Sequence, residues 1–400
     1  MRGGGADVTT RIGAPRPIFY PGDAVRRVKG DKLLRALESA GLDGVLVFKP
    51  EAIRYATDFY VKGFRRFLDI EYCLLMDRRG RHALAYSSGS DDYRLPLTSF
   101  LEDTRRVSGR VDEWAPVIVD MLTDYGLAAK RVGYDLLPAA LDVRLRELAP
   151  HLELRSAEAM WEQVSADKHP LEVDCIRRAY DVLAIGIRAG IATVVPKTRE
   201  IDVAAEIEAA MRRAGNEMTP AITMVASGPN AAIFERVATE RVIGERELVI
   251  LDATAVVNGY TADTARTVLS SGEATAQQQD MYRTVKAALR AAIEAVRPGA
   301  TCAEIDGAAR RSYNASAWSK YGSRWATGHQ IGFGLHGAPL VGPGVHEAVK
   351  PNMVMCLEPR IHVFDRPESG GVQVEDAVLV TDTGCVVLSS DVPYSEALER

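Results

Sequence analysis

Apolar and polar positions in the first 160 residues switch repeatedly between helical and strand spacing. Asp23 to Ala40 repeats its apolar positions with helical period, and Gly41 stops it. "GVLVF" from Gly44 follows as a short buried strand. "IEYCLLM" and "HALAYS" read as two more strands joined by the turn "DRRG". "VDEWAPVIVDMLTDYG" and "LPAALDVRLRELAP" carry amphipathic helical patterns. These elements predict a small α/β unit over residues 21–160, behind a loose tail at 1–20.

The pattern then changes. A long helix is predicted from Pro170, because proline suits a first helical turn. "REIDVAAEIEAAMRRAG" is a second helix, closed by Gly215. Strands dominate from Pro220 to about Leu269, two helices follow over "AQQQDMYRTVKAALRAAIEAV" and "CAEIDGAARRSYNASA", and strands and turns return from Gly328. Helices bracketed by strand-rich segments predict an α+β domain with an antiparallel sheet over residues 161–400.

Composition narrows the functional classes. Of 400 residues 47% are hydrophobic and 26% charged, with a formal net charge of -5, so no nucleic-acid or anionic-membrane surface is indicated. No apolar run approaches the roughly 20 residues needed to cross a bilayer. "MRGGGADVTTRIGAPRP" lacks the apolar core of a signal peptide. The five cysteines are scattered, with no CxxC. They fit reduced thiols used as core or surface filler in a cytoplasmic protein. Lys62, Arg65 and Arg66 form a basic stretch, read as a solvated face or as a steering patch for an anionic substrate.

The chemistry concentrates in "LDATAVVNGYTAD", Leu251 to Asp263. Asn258-Gly259 is a strong hairpin signal, since both central residues must tolerate positive φ. With the turn there, Val257 pairs with Tyr260 and Thr254 with Asp263. Asp252 shares a face with Thr254, so Asp252 and Asp263 become diagonal neighbours, Cβ atoms roughly 7 Å apart or less. Carboxylates held that close share a proton or bind cations. "TGHQIGFGLHG" adds His329 and His336 in a glycine-rich stretch, "NMVMCLEPR" ends an apolar strand with Glu358, and "GGVQVEDAVLVTD" places Glu375 inside another. Each taken singly is also a solvated strand or strand-edge residue. Together, four carboxylates and an imidazole suit Mn, Co, Fe or a zinc pair.

These motifs, in this order, resemble the creatinase / methionine aminopeptidase / prolidase family of pita-bread metallohydrolases. The resemblance spans nearly the whole chain, with residues up to about 160 similar to the N-terminal domain of the creatinase–prolidase–aminopeptidase P branch. It rests on the aspartate pair followed by "TARTV", the "GHxxG" histidine His329, and the two late glutamates. It implies two adjacent divalent ions, manganese foremost, bridged by water or hydroxide. Asp252, Asp263, His329, Glu358 and Glu375 are the implied ligands. Glu358 is the implied proton shuttle, and His336 the group that stabilises the substrate carbonyl or the tetrahedral centre. A homodimer is also implied.

Three positions depart from the family pattern. Glu235 stands where the family's spacing places a substrate-facing histidine. It reads either as a recogniser of a cationic substrate group or as a loop carboxylate beside Arg236. Gln373 replaces the arginine usual two residues before the last glutamate, which removes a positive charge near the metals; with Glu235, His336 and Arg360 it is a candidate substrate-binding residue. Arg360 replaces the glycine after "EP", as a holder of a substrate carboxylate or as a surface residue. The leading expectation is an Xaa-Pro dipeptidase or aminopeptidase acting on a small peptide or small amide. The alternatives are a C–N hydrolase or lyase for a non-peptide small molecule on the same scaffold, and a non-catalytic binding protein.

Overall fold

The computed structural model describes residues 19–61, 70–108 and 110–399. The basic stretch with Lys62, Arg65 and Arg66, and the tail as far as residue 18, lie outside the described residues. The chain divides into two compact units, one ending at Trp161 and one beginning at Glu162.

The first unit is built on a six-stranded mixed sheet. Its strands are β1 (Gly44–Val47), β2 (Tyr72–Asp77), β3 (His82–Tyr86), β4 (Asp103–Arg106), β5 (Arg131–Tyr134) and β6 (Glu153–Ser156), in the order β4-β3-β2-β1-β5-β6. The first three are the strands that the apolar pattern predicts. The last three escape it: β4 and β6 are polar four-residue edge strands, "DTRR" and "ELRS", with little to bury, and β5, "RVGY", is only four residues long and interrupted by glycine. Helices Asp23–Ser39, Val111–Asp124 and Ala139–Leu148 lie close to their predicted bounds. Trp114, Ile118, Met121 and Leu145 pack with Leu46, Cys73 and Leu75 as the core. Helices Pro50–Thr57 and Asp91–Thr98 were not expected; each has only eight residues, too few to show a clear period.

The second unit is antiparallel throughout. β7 (Met224–Ser227), β8 (Leu248–Val257) and β9 (Tyr260–Leu269) form one sheet in the order β7-β8-β9. β10 (Gly328–Gly332), β11 (Gly334–Val341), β12 (Val354–Leu357), β15 (Asp376–Val380) and β16 (Cys385–Val387) form another, in the order β11-β10-β12-β15-β16. Between β12 and β15 the chain makes a small pair, β13 (Arg360–His362) with β14 (Gly371–Gln373). The predicted hairpin forms in the predicted register, with Val257 opposite Tyr260 and Thr254 opposite Asp263. Asn258 and Gly259 take φ of 54° and 83°, as a tight primed turn requires.

Helices Pro170–Thr193, Ala276–Ala295 and Cys302–Asn314 each begin with a capping box, at His169, Thr275 and Thr301. The first packs across β8 and β9, so both faces of that hairpin are buried. This explains the near-continuous apolar run around the two aspartates. The other two cover a core of Met281, Tyr282, Leu289 and Ile305 against Met355, Leu357, Val372 and Val378.

Candidate metal centre

Asp252 sits on β8 and Asp263 on β9, diagonal across the hairpin. Glu375 does not lie inside a strand, as its valine neighbours suggest, but in the two-residue break between β14 and β15. That break joins the two larger sheets: the Glu375 N–H donates to the Ala265 carbonyl at 3.0 Å, and Thr264 Oγ1 donates to the Glu375 carbonyl at 2.7 Å. Leaving the ladder turns the Glu375 side chain toward the aspartates. Oxygen atoms of Asp252, Asp263 and Glu375 lie within 4.8 Å of one another.

His329 and Glu358 come from β10 and the end of β12. A Cβ on Gly328 would sit 1.9 Å from the Cys356 carbonyl oxygen, so only glycine lets these strands approach this closely. His329 Nε2 is 3.7 Å from Asp263 Oδ2 and 3.9 Å from Glu358 Oε1, beyond hydrogen-bond reach. His329 Nδ1 donates to the Gln330 carbonyl at 3.1 Å, which leaves Nε2 as a free lone pair. Burial lowers the His329 pKa to about 4, so the ring is neutral near pH 7.

The alternative of solvated strand carboxylates does not survive. Asp252 is 7%, Asp263 6% and Glu375 1% exposed. Burial, then mutual repulsion, pushes the Asp263 and Glu375 carboxyls well above their usual range. Burial and the charge of Glu358 raise Asp252 to about 7. Burial also raises Glu358, and Arg360 works against that rise. Asp263 Oδ1 and Glu375 Oε1 are buried with no hydrogen-bond partner in the protein. Unpartnered carboxylate oxygens facing one another around a neutral imidazole fit divalent ions.

The other expected residues surround this cluster. His336, on β11, is exposed, and its ring meets that of His329 edge-on at 4.4 Å. Glu235 is exposed on the loop after Ala232, with φ of 54°, a backbone conformation that side-chain-bearing residues adopt at a cost. Burial dominates at all three neighbours, raising Asp252 and Glu358 and lowering His336; the charge of Glu235 adds to the first two rises and works against the His336 fall. Arg360 is not a surface residue: it is 7% exposed, and its Nη1 donates to Glu358 Oε2 at 2.5 Å. Gln373 donates from Nε2 to Asp252 Oδ2 at 2.9 Å. The positive charge expected to be missing at position 373 is therefore supplied by Arg360, directly opposite Gln373 on the β13–β14 pair.

Sequence reasoning missed several neighbours. Cys356, read as filler, has its sulfur within 4.8 Å of ligand atoms of His329 and Glu375. Its signal was available: it precedes Glu358 by two residues, near the end of the strand that leads to it. Tyr180, from the long helix, donates to the Asp263 carbonyl at 3.2 Å. Phe234 stacks under the Arg360 guanidinium, 4.0 Å to the ring centroid. Nothing in their local sequence marks Tyr180 or Phe234.

Comparison with known proteins identifies the family. Residues 174–382 match metallopeptidase family M24, and residues 29–164 match the creatinase/prolidase N-terminal domain. The chain is 26% identical over 356 residues to the Xaa-Pro dipeptidase of Pyrococcus furiosus, covering 88% of this chain and 95% of that protein. It is 28% identical over 366 residues to the probable dipeptidase PepE of Mycobacterium tuberculosis, covering 89% and 92%. The crystal structure of dipeptidase PepE from Mycobacterium ulcerans superposes with a TM-score of 0.77 at 25% identity, over 93% of this chain and 98% of that one. Prolidase from Thermococcus sibiricus shares the fold, with a TM-score of 0.81 at 22% identity, again over 93% and 98%. The pita-bread α+β expectation and the creatinase-like first domain both hold. The chain belongs to metallopeptidase family M24, carried behind a creatinase/prolidase N-terminal domain.

Proposed function

We propose that the chain is a dinuclear metal-dependent peptidase of Xaa-Pro dipeptidase or aminopeptidase type. The observation that carries this reading is the convergence of Asp252, Asp263, His329, Glu358 and Glu375 around unpartnered, buried oxygens. Two divalent ions, manganese foremost and Co, Fe or Zn as alternatives, would be held by these five residues. Bound there, they supply an activated water and polarise the scissile carbonyl. Glu358 Oε1 faces His329, while Oε2 is held by Arg360, so Oε1 is the atom that accepts a proton from water. It returns that proton to the leaving nitrogen. His336, beside His329 and open to solvent, donates to the substrate carbonyl oxygen as negative charge develops there. The names of the relatives support an Xaa-Pro dipeptide as substrate. A homodimer is the expected assembly, measurable by light scattering, and a cytoplasmic location is expected. Among the described residues no helix is long and apolar enough to cross a membrane.

The deciding experiment is hydrolysis of a panel of Xaa-Pro dipeptides and longer X-Pro peptides by protein reloaded with Mn, Co, Fe or Zn. Cleavage at the X-Pro bond is expected, and the length preference separates dipeptidase from aminopeptidase. Metal-loaded protein that cleaves none of them overturns the peptidase reading. That result favours the second reading, a C–N hydrolase or lyase for a small non-peptide compound, which Glu235 at the edge of the centre supports.

Glu235 gives a separate prediction. Its carboxylate adds negative charge to the rim of the site and favours a cationic substrate group. Glu235→His is expected to shift the preference between amine-bearing and amine-blocked substrates by roughly tenfold, the scale of one charged hydrogen bond. Equal kcat/KM ratios in parent and variant would reduce Glu235 to a loop residue.

A further inference from the structure

β13 and β14 place Arg360 and Gln373 directly opposite each other, and both are buried. Neither side chain is directed to open solvent to await a ligand. Gln373 is locked first through its backbone: its N–H donates to Thr267 Oγ1 at 2.9 Å, and that hydroxyl donates to the Gln373 carbonyl at 2.8 Å. Its side chain then reaches Asp252 Oδ2. Arg360 reaches Glu358 Oε2 while its guanidinium lies on the Phe234 ring. His362, two residues along β13, packs against the same ring at 5.7 Å and bonds through Nδ1 to the Ala231 carbonyl at 2.8 Å. One short strand pair thus grips two of the four carboxylates, one cationically and one neutrally, and the loop at Phe234 braces the cationic arm.

Resting on the dinuclear reading above, we propose that Arg360 and Gln373 are a cross-strand pair of positioning residues for the metal centre, not anchors for a substrate carboxylate. Four carboxylates, three of them buried and Glu358 partly so, repel one another and, unrestrained, turn apart. Arg360 sets the rotamer of Glu358 and offsets one negative charge, leaving Oε1 turned toward His329. Gln373 fixes Asp252 through Oδ2 without adding charge, so of the cross-strand pair only the Glu358 side carries a cation. Outer partners of this kind typically alter metal affinity ten- to a hundredfold. Phe234 belongs to the same device, because the stack fixes the plane of the guanidinium.

The test is calorimetric titration of metal-stripped protein with Mn²⁺, alongside kinetics on Xaa-Pro substrates with free and amide-capped C-termini. Arg360→Met and Gln373→Met are each expected to weaken Mn²⁺ binding ten- to a hundredfold. Arg360→Lys, which keeps the charge, recovers most of that loss. Phe234→Leu, which touches no carboxylate, weakens binding by a few fold. In the kinetics, Arg360→Met lowers kcat to the same extent on both substrates. The proposal is overturned if Arg360→Met binds Mn²⁺ as the parent does and its only defect is a raised KM on free-carboxylate substrates. Should Arg360→Met fail to fold, Arg360→Lys and Phe234→Leu decide the matter: parent-like affinity in Phe234→Leu and no gain of Arg360→Lys over Gln373→Met also overturn it. A parent that binds two Mn²⁺ but cleaves no peptide sinks only the peptidase assignment, since the titration still reports on Arg360 and Gln373. A parent that binds no metal sinks both.

Discussion

Asp263→Asn is expected to lose metal and activity together while staying folded. Asp263 is 6% exposed, with Oδ1 unpartnered and Oδ2 toward His329, so it is central to the carboxylate cluster. An amide keeps the volume but removes the charge that a divalent ion requires. Metal stoichiometry should fall below two, and activity by more than about a hundredfold. The metal-free forms behave in the opposite sense. In the folded parent the Asp263 and Glu375 carboxyls lie well above their usual range, and Asp252 lies near 7. A carboxyl raised by folding binds more protons folded than unfolded. Its contribution is fully present below the ordinary carboxylate range near 4 and is lost as pH rises through the folded value. Metal-free parent should therefore lose stability between about pH 4 and pH 7 and beyond. The asparagine variant, with one less like charge, should lose less and melt no lower than metal-free parent at pH 7. Added metal should raise the melting temperature of the parent but not of the variant. Thermal melts of both proteins, with and without metal, across pH check this. Full metal stoichiometry and full activity in the variant would falsify the assignment of Asp263.

Arg266→Met has the second large expected effect, and it falls on stability. Arg266 is entirely buried in the middle of the "TARTV" stretch. Its guanidinium pairs with Asp376 at 2.9 Å and donates to the carbonyls of Val392, Ala265 and Glu375 and to Thr264 Oγ1. Tyr394 stacks on it at 4.4 Å. Removing one partner of a buried pair leaves an uncompensated charge and typically costs about 3–5 kcal/mol. Several carbonyls lose their donor as well. For a unit of this size that corresponds to a fall in melting temperature of roughly 10 °C. The double variant Arg266→Met with Asp376→Asn carries no stranded charge and should recover part of the loss. Calorimetric melting of the two variants tests the argument; a single variant within about 1 kcal/mol of the parent contradicts it. Because Arg266 and Thr264 together hold the Glu375 carbonyl, weaker metal binding should accompany the lost stability.

The sequence alone determined the features that depend on local chemistry and on order along the chain. The turn at Asn258-Gly259 needs positive φ, and that requirement fixed the register of β8 and β9 and hence the diagonal placement of Asp252 and Asp263. Helices long enough to show a period, such as Pro170–Thr193, were legible with their bounds, whereas eight-residue helices and polar four-residue strands were not. The order of Asp, Asp, His, Glu and Glu pointed to the family. Only the tertiary structure decided what lies across from what. Glu375 leaves its strand because the break between β14 and β15 ties to β9, and no local signal marks that break. Arg360 and Gln373 read as substrate contacts in sequence because pairing between β13 and β14 is invisible there. Once paired, each reaches a carboxylate of the cluster instead. Residue type and spacing set which groups are available. Burial and cross-strand distance, which depend on the whole fold, set which charges must be met and by whom.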